Sequence, residues 1–244
     1  MDGDAHIGFF FAAIGGLIGC VGVPLFFGVL FFKLRSADQQ ITQTAAAVQS
    51  GAVAGLLPWN PASLSDLTCQ WVGSSMYTAG VFGRRDRASG QVPSGRSPTG
   101  WLLAFTMTAH NDGADGQVLA TTSAQRLELR IVRGVCQAAL NGAPLGSLRL
   151  GEPGLYAFDG TPVGSYRRQP PEAQLTLRGR DVARLDTRTD SDTSRAAAPT
   201  LLVTHLLAER TAEDEAWALV TAVLELAWFG PRRTHVGMQG QLRR

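Results

Sequence analysis

Lysine is nearly absent from this chain: Lys33 is the only one among 22 basic residues, and arginine supplies the others. Against 20 acidic residues the net charge is only +2, too small for a nucleic-acid binder, and no stripe of basic residues interleaved with aromatics is present. The arginine bias fits a GC-rich coding sequence as well as it fits a need for bidentate anion contacts. Cysteine is scarce too. Cys20 lies in an apolar run, and Cys69 and Cys136 are too far apart for zinc spacing, so buried free thiols are expected. Four histidines, His6, His110, His205 and His235, show no paired spacing, which argues against metal ligation. The stretch HNDGADG at 110–116 offers carboxylate and amide oxygens but lacks the extended calcium-loop pattern and reads as a turn. No GxSxG, P-loop or GxGxxG fingerprint occurs. The chain is therefore not expected to be an enzyme, and no catalytic, cofactor-binding or metal-binding residue is named.

Charge is missing altogether from residues 7–32, IGFFFAAIGGLIGCVGVPLFFGVLFF, a run of 26 residues. About 20 apolar residues suffice to cross the hydrocarbon core as a helix, so this segment is expected to be a transmembrane anchor. Seven of the eleven phenylalanines sit in it, near its two ends. Gly8, Ala12 and Gly16 recur at intervals of four, and Gly15 with Gly19 forms a GxxxG. Small residues at that spacing form one helical stripe on which another membrane helix can pack closely, although glycine is also simply common in such helices. Lys33 and Arg35 follow the run while Asp2 and Asp4 precede it. The positive-inside rule then places the N-terminus outside and the C-terminal bulk in the cytoplasm, in a single-pass protein of the cell (inner) membrane.

The expected organisation has four parts. Residues 1–35 form a tail and the transmembrane helix; residues 36–61 form a juxtamembrane helix and a linker broken by Gly51, Gly55, Pro58 and Pro61; residues 62–230 form a β-barrel domain with a closing helix; residues 231–244 form a basic tail. Beyond Leu67 the chain breaks into short runs rich in β-branched and aromatic residues, from LTCQWVG and SMYTAGVFG to TLLVTHLL, giving about twelve candidate strands. RASGQVPSGRSPTG (87–100) and TDSDTSRAAAP (189–199) read as exposed loops.

One phrase is written more than once. NGAPLGSL (141–148) and DGTPVGSY (159–166) match, RGRDVARL (178–185) is a degenerate third copy, and DGQVLATT (115–122) is counted as a fourth. Asn-Gly and Asp-Gly tolerate the positive φ of a tight reversal, so the repeated unit is a β-hairpin. Gly146 and Gly164 fall in the returning strands, where a missing side chain permits close backbone approach. After the last strand, Thr211 with Asp214 makes a capping-box start, and between Ala216 and Phe229 only Thr221 and Glu225 are polar. A helix apolar on nearly every face and too short to span a membrane is expected to be buried by protein.

Repeated hairpins, about twelve strands and a closing apolar helix together resemble the tubby-like barrel superfamily, which includes phospholipid scramblases and the LURP-one-related proteins. The resemblance covers roughly residues 67–229 and implies a mainly β fold: an antiparallel barrel of about twelve strands around the C-terminal helix. It departs from the scramblases in carrying its membrane segment at the N-terminal end, and the family's cationic lipid-binding cluster has no residue-by-residue counterpart here.

Two function classes follow. In the first, the protein is a non-catalytic accessory or scaffold subunit of a larger membrane-protein complex, for instance a bioenergetic, respiratory or photosynthetic one. Its partners are other transmembrane helices docked on Gly8, Ala12, Gly15, Gly16 and Gly19. In the second, it is a membrane-tethered module that contacts anionic lipid headgroups of the bilayer through Arg84, Arg85, Arg87 and Arg96 or through Arg232 and Arg233. An uncharacterised enzyme or a scramblase-like activity is the remaining alternative.

Overall fold

The computed structural model describes residues 39, 41–50, 53–80, 83–96, 100–110, 114–187 and 200–230, without the side chains of 77–80 and 83–84. The chain separates into two units, Met1–Gln39 and Gln40–Arg244. The expected transmembrane helix lies outside the described residues, as do the 189–199 loop and the basic tail. Among the described residues no helix is long and apolar enough to cross a membrane. A helix, α1, occupies residues 41–50 where the juxtamembrane helix is expected.

The second unit is mainly β. Among the described residues twelve strands form one antiparallel sheet in which every strand pairs with its sequence neighbours. They are β1 (Val72–Gly80), β2 (Gly83–Pro93), β3 (Trp101–His110), β4 (Asp115–Thr121), β5 (Arg126–Val132), β6 (Val135–Leu140), β7 (Ala143–Arg149), β8 (Gly154–Ala157), β9 (Pro162–Gln169), β10 (Glu172–Leu177), β11 (Arg180–Asp186) and β12 (Val203–Leu206). Alternation of buried and exposed residues is clearest in β5, where Leu127, Leu129 and Ile131 face the core.

The repeats build hairpins as expected. Asn141 and Gly142 both take positive φ, 52° and 81°, between β6 and β7, and Arg178 and Gly179 do the same between β10 and β11. Gly160, at 85°, reverses the chain between β8 and β9. The returning glycines admit close backbone approach: a β-carbon on Gly164 would lie 2.0 Å from the Thr176 carbonyl oxygen. The fourth copy is not a turn. Asp115 and Gly116 open β4 in regular pairing, with the ring of Trp228 packed on the Gly116 backbone, so glycine there makes room for an aromatic ring.

Helix α2 (Ala212–Val223) runs into a π-helical turn, Leu224–Phe229, and the two form the central helix. Thr211 and Asp214 form the expected capping box: the Asp214 amide donates to Thr211 Oγ1 (3.2 Å) and the Thr211 amide to Asp214 Oδ2 (2.8 Å). From Ala216 to Trp228 every residue is buried, so the helix is enclosed on all faces as expected. Its tryptophans reach different stretches of the sheet, Trp217 towards Gly146 in β7 and Trp228 towards Gly116 in β4. Thr221 is accommodated by donating its hydroxyl to the carbonyls of Trp217 and Ala218.

Three expectations are corrected: the closed barrel, the strand at LTCQWVG and the loop at 87–93. The sheet is open rather than a closed barrel: among the described residues β1 and β12 do not pair. Irregular backbone occupies that position instead, with Leu67 bridging to Ser94 beyond β2 and Thr68 bridging to Leu201 ahead of β12. Accordingly LTCQWVG is largely this non-strand segment, with only Val72 and Gly73 in β1. Conversely, residues 87–93 are not a loop but most of β2, with Ala88, Ser89, Gly90 and Val92 buried. Trp71 explains Gly90: a β-carbon there would collide with its ring at 2.3 Å. Part of the expected linker is also docked, since the Leu57 amide donates to the Trp101 carbonyl (2.8 Å) and the Trp59 amide to Ser123 Oγ (2.7 Å).

Candidate functional site

Of the residues expected to carry function, Gly8, Ala12, Gly15, Gly16, Gly19, Arg232 and Arg233 lie outside the described residues, as does the Arg84 side chain. Arg85 is exposed and Arg87 half-buried near one end of β2, opposite Thr78 and Met76 of β1. Arg96 lies past the other end of that strand, roughly 30 Å away at the normal rise per residue, and is held by Asp66 at 2.8 Å. The fold thus splits the arginines that the sequence groups. Neither described cysteine is in a disulfide. Burial pushes the Cys136 thiol up to about 12, which makes it inert at neutral pH, whereas Cys69 Sγ donates to the Asp186 carbonyl at 3.3 Å.

The residues that do converge are ones the sequence does not single out as a group. Glu225 sits in the π-helical turn with its side chain 1% exposed. Such a carboxylate is costly to bury unless charge and hydrogen bonds compensate it, and both come from β9. The Tyr166 hydroxyl donates to Glu225 Oε1, and Arg168 Nε donates to the same oxygen at 2.8 Å. Tyr166 and Arg168 are two residues apart on one strand, so both side chains take the face turned to the helix. The guanidinium carbon of Arg168 lies 4.2 Å from the centroid of the Phe229 ring, a cation–π contact. Widening of the helical turn, in which the Gly230 amide donates to the Glu225 carbonyl, is what sets Glu225 and Phe229 in these positions.

This cluster floors a cleft of about 400 Å³, whose lining includes Arg149, Glu152, Tyr166, Arg167, Arg168 and Phe229. Arg149 and Glu152 form an exposed pair on its rim at 3.5 Å. The arrangement combines a fixed guanidinium, an aromatic ring and a surplus of positive charge, which suits recognition of an anionic group. Between Ala216 and Phe229 Glu225 is one of only two polar residues, the only signal of the cluster in the sequence; its partners lie 57 and 59 residues away. In comparisons with known proteins, no family model, no curated protein and no solved structure matches this chain.

Proposed function

We propose that the protein is a non-catalytic accessory or scaffold subunit of a membrane-protein complex, anchored by residues 7–32 with its β unit in the cytoplasm, and that this unit is a tubby-like module. The observation that carries the reading is the uncharged 26-residue run with its stripe of small residues, placed ahead of an independent β unit. The filled interior of the sheet supports it. Trp217, Leu224 and Trp228 occupy the space in which a carrier would hold its ligand, leaving recognition to the anchor and the outer surface.

The test replaces Gly15 and Gly19 by leucine in the full-length chain. Insertion should persist because hydrophobicity rises, while chains that co-purify in mild detergent should be lost as the helix backbones are forced apart. Unchanged co-purification would overturn the reading. Orientation is checked by Phe158→Cys, a 74%-exposed position on the β8–β9 turn, which should resist an impermeant thiol reagent in intact cells. Lipid-surface contact is the second reading, favoured by the exposure of Arg85 on β2. It predicts that Arg85→Gln with Arg87→Gln weakens membrane-surface contact while the leucine variant has no effect.

A further inference from the structure

We propose that the cleft beside the C-terminal end of the central helix binds the phosphate group of a small ligand or lipid headgroup, with Arg168 as its principal contact. The site is built from residues outside 7–32 and stands or falls independently of the accessory-subunit reading. Its starting point is how Arg168 is held. Two other arginines of this protein engage a carboxylate with more than one bond: Arg184 gives Asp181 both Nε and a terminal nitrogen, at 2.9 and 2.7 Å, and Arg180 bonds both oxygens of Asp214. Arg168 gives Glu225 only Nε. Its face rests on Phe229, and its two terminal nitrogens have no acceptor among the described residues. Four N–H donors are left on a guanidinium whose side chain is only 26% exposed and whose orientation is fixed on two sides.

That is the geometry of a pre-organised oxyanion receptor, because the entropy of fixing the arginine is already spent in the unliganded state. Charge selects the class of anion. Among the described residues the arginines that line the cleft, Arg149, Arg167 and Arg168, outnumber its carboxylate, Glu152; Arg167 alternates to the outer face of β9, and Glu225 is already engaged beneath. A phosphate monoester, carrying about −1.5 to −2 and three acceptor oxygens, matches that excess better than a lone carboxylate does. Leu150, Pro153 and Phe229 supply an apolar wall for the organic part of the ligand, and about 400 Å³ is the size of a small-molecule site. Glu225 is a positioning residue, acting through Arg168.

The test is calorimetric titration of the full-length protein in mild detergent with two phosphate monoesters, glycerol 3-phosphate and dihexanoyl phosphatidic acid, and with dihexanoyl phosphatidylcholine as the control. Saturable, salt-sensitive binding of at least one monoester is expected, with about a tenfold or greater loss in Arg168→Lys, which keeps the charge but not the fork. Comparable affinity for the two monoesters would identify a soluble phosphorylated ligand, and a marked preference for the acylated one a lipid. Glu225→Gln keeps an acceptor for Arg168 Nε and should retain binding, whereas Glu225→Ala should lose it. If Glu225→Ala does not fold, Arg168→Lys and the exposed Arg149→Ala, also expected to weaken binding, decide the matter. Failure of both monoesters to bind, equal binding of the phosphatidylcholine, or unchanged affinity in Arg168→Lys would overturn the proposal.

Discussion

Each end of the central helix buries a carboxylate against an arginine from the sheet, yet the two pairs answer different needs. At the N-terminal end Asp214 closes a capping box with Thr211, and Arg180 from β11 braces it from outside. Burial pushes the Asp214 carboxyl up, but hydrogen bonds from Thr211 and the Arg180 guanidinium together outweigh it and hold it below the usual carboxylate range. The helix itself requires this pair, since its first amides need acceptors and its dipole favours an acid there. At the other end Glu225 meets no such requirement. It lies within the last turns, where the dipole disfavours an anion, and its compensation comes from β9. A buried ion pair that the secondary structure does not need is the stronger pointer to function.

The comparison can be calibrated against the apolar centre between the two ends, where the largest effect is expected. Leu224→Ala should lower the stability of the full chain by about 2–5 kcal/mol in denaturant titration, through lost burial and a residual cavity. A near-zero change would mean that the helix is not the core. Glu225→Ala should cost about 2–3 kcal/mol by stranding the Tyr166 hydroxyl and Arg168, discounted because Arg168 is partly solvated. Pairing Glu225→Leu with Arg168→Met should recover most of that loss; if the double variant is no better than Glu225→Ala, the pair is structural and the contrast between the ends collapses.

Thr211→Ala should cost about 1 kcal/mol, the usual worth of a helix cap. Because the folded-state pKa of Asp214 is depressed, its contribution is fully present above the unfolded value of 3.8 and is lost as pH falls through the lower folded value. Asp214→Asn should therefore flatten the acid limb of a stability–pH curve, and an unchanged limb would count against this assignment. Glu213→Ala, which breaks the outer pair with Arg178, should change the unfolding midpoint least, by a few tenths of a kcal/mol, since both groups meet solvent.

The hairpins were legible because turn chemistry is local: Asn141-Gly142 needs positive φ at both positions and carries the residues that tolerate it, while in the degenerate copy Gly179 does so and Arg178 does not. Helix α2 was legible from its cap and its apolarity. β2 was not, because GRRDRASGQVP has the composition of a loop, and its Gly90 becomes intelligible only once Trp71 packs against it. LTCQWVG failed in the opposite direction: strand-like residues serve there as irregular backbone held by single bridges. The Tyr166–Arg168–Glu225 cluster was illegible for a related reason, being made by contact between a strand and a helix far apart in the chain.

The chain-order sequence of the strands carries a consequence for how the molecule is made. Each strand can pair with its predecessor as soon as both exist, so the sheet can grow steadily from β1 to β12 during synthesis. The helix that covers its inner face is encoded after all of them. A nascent chain therefore holds a nearly complete sheet around an uncovered apolar hollow, which is complementary to the same helix of another copy as well as to its own, although its own is tethered close by. Fidelity of assembly rests on how quickly residues 212–229 reach the hollow after β12 is in place.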